Sequence, residues 1–157
     1  MKFAADCMLG TLAKWLILLG HDVAYFPRIE DGELVRIARS EGRIILTCDR
    51  RLVQRRDARD HVLIASQDLT EQIRQVLRER GLRLRKDRLF RRCVKCNRAT
   101  RRVSRPSVRS EVPPYVYRTR RRFTRCPGCR RVFWRATHVS RMLRSLRGRL
   151  GGVPGVP

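Results

Sequence analysis

The sequence predicts an α/β protein: a parallel sheet with helices on both faces, then a small four-cysteine zinc ribbon. Three observations carry that prediction. Short apolar runs alternate with amphipathic stretches as far as residue 80, the pattern of βαβ units. Two Cys-x-x-Cys turns, Cys93–Cys96 and Cys126–Cys129, follow in the second half, with 29 residues between Cys96 and Cys126. The charge also divides. Residues 88–157 hold 21 Arg and Lys against Glu111 alone, a net +20, whereas residues 1–87 hold 17 against 13 acids, a net +4.

The elements follow in order. Lys2–Ala5 is a short strand ending at Asp6. Leu9, Leu12, Ala13, Leu16 and Ile17 recur at helical spacing, with Gly20 as the stop. Asp22–Phe26 reads as a second strand closed by Pro27. Asp31 can cap a helix running to Ser40, with Leu34, Val35, Ile37 and Ala38 inward and Gly42 at its end. Arg43–Thr47 is a β-branched strand running into Asp49. A short helix at Arg51–Arg56, a strand at His61–Ala65 and a helix at Asp68–Arg80 complete the set, the last with Leu69, Ile73, Val76 and Leu77 on one face. Beyond a basic linker, Arg83–Arg92, the pattern changes to extended pieces at Thr100–Val103, Tyr115–Tyr117 and Arg131–Trp134. Thr137 can cap a last helix from His138 to about Arg147, and the Gly- and Pro-rich end reads as a frayed tail.

Asp6 interrupts any secretory leader before an apolar region develops, and Met8–Gly20, which contains Lys14, is too short to span a bilayer. The expected location is cytoplasmic, with no membrane attachment and no small-molecule cofactor. In a reducing compartment paired Cys-x-x-Cys units are metal ligands rather than disulfides. Cys93, Cys96, Cys126 and Cys129 then make a tetrahedral zinc site whose fourth position is filled by sulfur, so that it is structural rather than catalytic. Glycine in Pro127-Gly128 suits the tight second turn. Cys7 and Cys48 stand outside the pairs and read as small buried hydrophobes.

Arg118, Arg120, Arg121, Arg122, Arg125, Arg130 and Arg131 surround the cysteine turns, interleaved with Tyr115, Tyr117, Phe123, Phe133 and Trp134. Arginines clamp phosphates and aromatics stack on unpaired bases, which points to RNA or single-stranded DNA as partner. Phe133 and Trp134 have a competing role as the ribbon's own core. In the first half, functional groups of a parallel sheet gather past the carboxyl ends of its strands. Asp6, Asp31 and Asp49 occupy such positions. Three converging carboxylates would repel one another unless a divalent cation bridged them, and oxygen ligands suit Mg²⁺ or Mn²⁺. Such a centre would catalyse metal-assisted phosphodiester hydrolysis. The alternative is that Asp31 and Asp49 simply cap helices.

Several stretches also resemble, in order, one known family. They are Phe3–Leu16 with Leu19-Gly20-His21-Asp22, Asp31-Gly32-Glu33-Leu34, Glu41–Asp49, Gln72, Arg92–Asn97, Val112–Tyr117, Phe123 with Cys126–Cys129, and Trp134–His138 with Met142. Together they resemble the Mut-7-type C-terminal RNase domain family. That resemblance implies a PIN-like nuclease domain over residues 1–87 and a zinc ribbon with a C-terminal helix over 88–147, leaving 148–157 as a disordered tail. It implies divalent-metal-dependent RNA cleavage with the acidic positions on Asp6, Asp31 and Asp49, and places His138 in a matched motif where it could assist phosphate binding. Cys48 departs from the family, which usually has Arg there. The resulting expectation is a ribonuclease using Mg²⁺ or Mn²⁺ whose zinc ribbon grips single-stranded or structured RNA. The rival is a non-catalytic RNA-binding protein associated with ribosome or tRNA. Oligomeric state is not legible.

Overall fold

A computed structural model describes residues 1–85 and 87–134. The expected last helix, His138 and the tail lie outside the described residues. Four strands, β1 (Lys2–Ala5), β2 (Asp22–Tyr25), β3 (Ile44–Thr47) and β4 (His61–Leu63), form a parallel sheet in the order β2-β1-β3-β4. Helices α1 (Gly10–Leu18) and α4 (Leu69–Glu79) cover one face and α2 (Asp31–Glu41) and α3 (Arg50–Val53) the other. The larger core layer buries Leu12, Leu16 and Ile17 of α1 and Ile73, Val76 and Leu77 of α4 against Phe3, Val23 and Leu46 of the sheet. The second layer sets Leu34, Val35 and Ala38 of α2 on Ala4 and Ile45. Alternate residues of β1 and β3 thus serve opposite layers, as strand geometry requires. Each fully buried Leu, Ile or Phe here is worth about 1.5–3 kcal/mol.

Side chains bond backbone groups at both edges of the sheet. At β4, Gln75 Nε2 donates to Leu63 O at 2.7 Å and Gln75 Oε1 accepts from Ala65 N at 3.2 Å, while Arg80 donates to His61 O. At β2, the amide of Val23 donates to Asn97 Oδ1, 74 residues away, at 3.2 Å. Each edge group bonded in this way is one fewer for pairing with another strand.

The second sheet is antiparallel, β5 (Arg101–Val103), β6 (Phe123–Arg125) and β7 (Val132–Trp134), in the order β5-β6-β7. Its small core is Val108, Val112 and Phe123, with Val103, Val116, Tyr117, Val132 and Trp134 packed against it. Two expectations are corrected here. Tyr115–Tyr117 is helical, within α5 (Pro114–Thr119), because Pro114 at the first turn presets helical φ and lacks the N–H that position would leave unbonded. The strand Phe123–Arg125 was not foreseen, although it is the centre of this sheet.

The segment joining the two sheets is packed rather than loose. Leu82, Leu84 and Leu89 lie on the larger core layer, and Phe90 N donates to Leu18 O at 2.8 Å. Gly20, at φ 94°, makes this approach possible: a Cβ there would come within 2.5 Å of Arg88 O.

His21 follows that turn with its ring edge-on to Phe3, centroids 5.8 Å apart, and is 9% exposed. Burial, then the N-terminal ammonium, Arg88 and Arg92, lower its pKa to about 4. The unfolded chain therefore binds a proton between pH 6.5 and 4 that the folded chain refuses. The stability from neutral His21 is complete above pH 6.5 and is lost as pH falls toward 4. Denaturant unfolding at pH 7 and pH 5 should differ by about 2 kcal/mol more in the native chain than in His21→Gln. Equal differences would show that His21 does not carry the effect.

Candidate functional site

The order β2-β1-β3-β4 reverses direction between β1 and β3, and the loops beyond the carboxyl ends of those two strands open the crevice where α/β sheets bind ligands. Asp6 follows β1 and Asp49 lies two residues past β3. Asp6 is buried, 6% exposed. Its Oδ1 accepts from Cys7 N at 2.5 Å, capping the 3₁₀ turn Cys7–Leu9, and its Oδ2 accepts from Thr47 Oγ1 at 2.8 Å. Thr47 Oγ1 in turn accepts from Asp49 N at 2.9 Å. One fully buried hydroxyl therefore ties the two acidic loops together. Thr47 was not among the residues singled out from sequence; in a β-branched strand it looks like ordinary strand filler.

Asp49 is partly buried and its Oδ1 accepts from Arg51 N at 2.7 Å, so it does cap α3. Asp31 opens α2 as its first helical residue, while Glu30 takes the cap position without a side-chain bond; the expectation that Asp31 caps the helix is corrected. Asp31 is exposed and contributes to the raised pKa of Arg55, whose main partner is Asp57. Among the described residues the four cysteines form the one group of three or more His, Cys, Asp or Glu whose ligand atoms all lie within 4.8 Å of one another. The three aspartates are not drawn together to that degree. Asp6 thus accepts from two donors, one on each oxygen, and the Cys7 thiol beside it is a third.

Cys7 is exposed, which corrects its reading as a buried hydrophobe, whereas Cys48 is partly buried and packs against the larger core layer. A hydrogen bond to Asp6 and then burial raise the Cys7 thiol, and burial followed by the charge of Asp6 raises Cys48. Both stay protonated near neutrality, so the neighbourhood offers carboxylate oxygens rather than thiolates. Tyr25 Oη, at the end of β2, donates to Cys7 O at 3.0 Å and steadies the Asp6 loop from the other side.

The cysteine site is assembled from two equivalent turns. Cys93 N donates to Arg98 O at 2.9 Å and Asn97 N to Cys93 O at 2.8 Å; Cys126 N donates to Arg131 O and Arg130 N to Cys126 O, each at 3.0 Å. Asn97 (φ 58°) and Arg130 (φ 59°), one residue past each second cysteine, take the left-handed conformation. Gly128 does not; its room is instead filled by the Arg98 side chain, whose Cδ would lie 2.8 Å from a Cβ there. Cys93 Sγ lies 3.5 Å from Cys129 Sγ and Cys96 Sγ 3.2 Å from Cys126 Sγ. Zn–S bonds of about 2.3 Å put sulfurs about 3.8 Å apart in a tetrahedron, so this cluster could hold a zinc ion. Burial raises the Cys93 thiol to about 12. Burial also raises Cys126, but N–H donors from Cys129 and Gly128 and the Cys96 contact bring it down to about 6.

Around this cluster Arg118, Arg121, Arg122, Arg130 and Arg131 are exposed and Arg120 is partly so. Arg125 is not available in the same way: it pairs with Glu111 and donates to Ser107 O at 3.2 Å. Of the aromatics, Phe123 is 1% exposed and Tyr117 lies under Arg105, whose guanidinium sits 4.3 Å from the ring centroid. Trp134 packs on the ribbon core, whereas Phe133 stands outside it and Tyr115 is 65% exposed. The surfaces open to stacking therefore reduce to Tyr115 and Phe133.

No described helix is long and apolar enough to cross a membrane. No curated protein and no solved structure matches the chain significantly. A family model does: the Mut7-C RNAse domain, over residues 1–146. The matched span takes in both the acidic crevice and the cysteine cluster, and the chain belongs to the Mut7-C RNAse domain family.

Proposed function

We propose that this protein is a divalent-metal-dependent ribonuclease in which Asp6, Asp31 and Asp49 hold Mg²⁺ or Mn²⁺ and the arginine-rich zinc ribbon holds the RNA. The observation that carries the reading is Asp6: a buried carboxylate at the sheet's switch point, oriented by Thr47 and the Cys7 amide. Membership of an RNase domain family supports RNA as the substrate. When bound, a cation of this class supplies an activated water and offsets charge on the scissile phosphate. The chain's own contribution is to fix Asp6 and Asp49 through one hydroxyl, leave Asp31 exposed at the head of α2, and keep thiolates out. In the ribbon, zinc on Cys93, Cys96, Cys126 and Cys129 is structural, and Arg118, Arg120, Arg121, Arg122, Arg130 and Arg131 face phosphates. Arg125 acts indirectly through Glu111, and His138 belongs to the same matched span.

One observation favours the second reading, a non-catalytic RNA-binding protein: the three carboxylates are not gathered to within 4.8 Å, and Asp49 is engaged as a helix cap. The two readings separate in one experiment. Purified protein with Mn²⁺ should cut single-stranded RNA, and Asp49→Asn should stop cutting while binding persists. Binding should weaken linearly in log[salt], with a slope of about −0.7 per phosphate contacted. Binding with that slope but no cleavage in the native chain would establish the second reading; a flat salt response would remove RNA from both.

A further inference from the structure

Asp22 is the meeting point of the two sheets. Its Oδ1 accepts from Arg43 Nη1 at 2.6 Å and from Asn97 Nδ2 at 2.8 Å, and its Oδ2 lies 3.3 Å from Arg92 Nη2. Arg92 Nη1 also donates to Asn97 O at 2.6 Å. Asn97 thus uses every polar group it has: backbone N–H to Cys93, backbone carbonyl to Arg92, side-chain oxygen to Val23, side-chain N–H to Asp22. The two side-chain contacts depend on the left-handed turn that ends the first cysteine pair, because that turn aims the Asn97 side chain at β2. From β2 the connection continues: Tyr25, three residues beyond Asp22, bonds the carbonyl of Cys7 next to Asp6.

We propose that Asn97 is a positioning residue, a latch through which metal binding at the four cysteines orders edge strand β2 and, through Tyr25, the loop carrying Asp6. The physical reason is local. Four cysteine sulfurs within 4.8 Å stay together as thiolates only around a cation, and the turn Cys93–Arg98 closes with them. When the turn opens, Val23 N and Asp22 lose their partners together. Asparagine suits the position twice over, since it tolerates positive φ and carries both an acceptor and a donor. This inference rests on metal occupying the cysteine site and not on catalysis.

Asn97→Gly isolates the latch, because glycine keeps the left-handed turn while removing the amide. The test is amide hydrogen exchange on the full chain, zinc-loaded and chelated, with zinc stoichiometry measured alongside. In the native chain, chelation should speed exchange at Val23 and across Cys7–Leu9 by tenfold or more, while Leu46 in the sheet centre stays protected. Asn97→Gly should bind one zinc and yet exchange at Val23 at the chelated rate. Asn97→Asp, which keeps the acceptor for Val23 but sets a carboxylate against Asp22, should fall between them. Native rates at Val23 in zinc-loaded Asn97→Gly would overturn the proposal, as would β2 exchange in the native chain that ignores chelation. Should Asn97→Gly fail to fold, Asn97→Asp at the native rate overturns it equally. Absence of bound zinc in the native chain would instead refute the metal assignment.

Discussion

Chelation of the four-thiolate site, or Cys126→Ser, will unfold the ribbon while the centre of the parallel sheet stays folded. The argument is one of scale. Among the described residues the ribbon's core buries only Val108, Val112 and Phe123 as fully covered apolar anchors, worth about 2 kcal/mol each. A structural zinc in a site of this kind contributes about 10–16 kcal/mol. The three strands β5, β6 and β7 are each only three residues long, too little to hold a sheet without a cross-link. By contrast the first sheet has two core layers with more than a dozen buried side chains. Hydrogen exchange should therefore show Phe123 and Thr124 losing protection on chelation, with recovery on adding one equivalent of zinc. Metal uptake should release protons, since the Cys93 thiol must ionise from about 12 whereas Cys126, at about 6, is already largely ionised at neutral pH. A ribbon that keeps its protection in Cys126→Ser would mean that its packing suffices and that the cysteines do other work.

What sequence can and cannot show is visible in particular residues. The central strands β1 and β3 were legible because they are short apolar runs, as burial on both faces demands, and α4 because Ile73, Val76 and Leu77 repeat at helical spacing. Phe123-Thr124-Arg125 was not, because one apolar residue in three carries no period; it is a strand only because β5 and β7 pair on either side of it. Tyr115-Val116-Tyr117 has the aromatic and β-branched residues of a strand, and the two prolines before it set a helix instead. At the acidic crevice, strand ends located Asp6 and Asp49. The hydroxyl joining them could not be read from sequence, since a bond across 41 residues leaves no local trace. The same holds for Asn97, whose partners lie 74 and 75 residues earlier. Arg125 shows the opposite error: charge counted along the chain includes a guanidinium already spent on Glu111.

Asp6→Asn should lower RNA cleavage by about a thousandfold or more with little change in RNA affinity. Metal-assisted charge stabilisation is worth several kcal/mol, and each 1.36 kcal/mol is tenfold in rate, so removing the one buried carboxylate of the set costs on that order. The amide is a close fit in shape. Its oxygen can still accept from Cys7 N, and its Nδ2 can donate to the Thr47 hydroxyl that formerly donated to it, so the loop geometry survives the loss of charge. Thr47→Val tests orientation rather than charge. It keeps the volume and removes the bridge, leaving Asp6 Oδ2 and the amide of Asp49 without their shared partner, at about 1–3 kcal/mol of stability and a smaller loss of cleavage, about tenfold. Because the two substitutions act on one hydrogen-bonded unit, their effects should not add; the double variant should cleave no more slowly than Asp6→Asn alone. Steady-state cleavage and filter binding on the three variants check this. Undiminished cutting by Asp6→Asn would move the chemistry away from the switch point of the sheet, and full additivity would show that Thr47 acts on something other than Asp6.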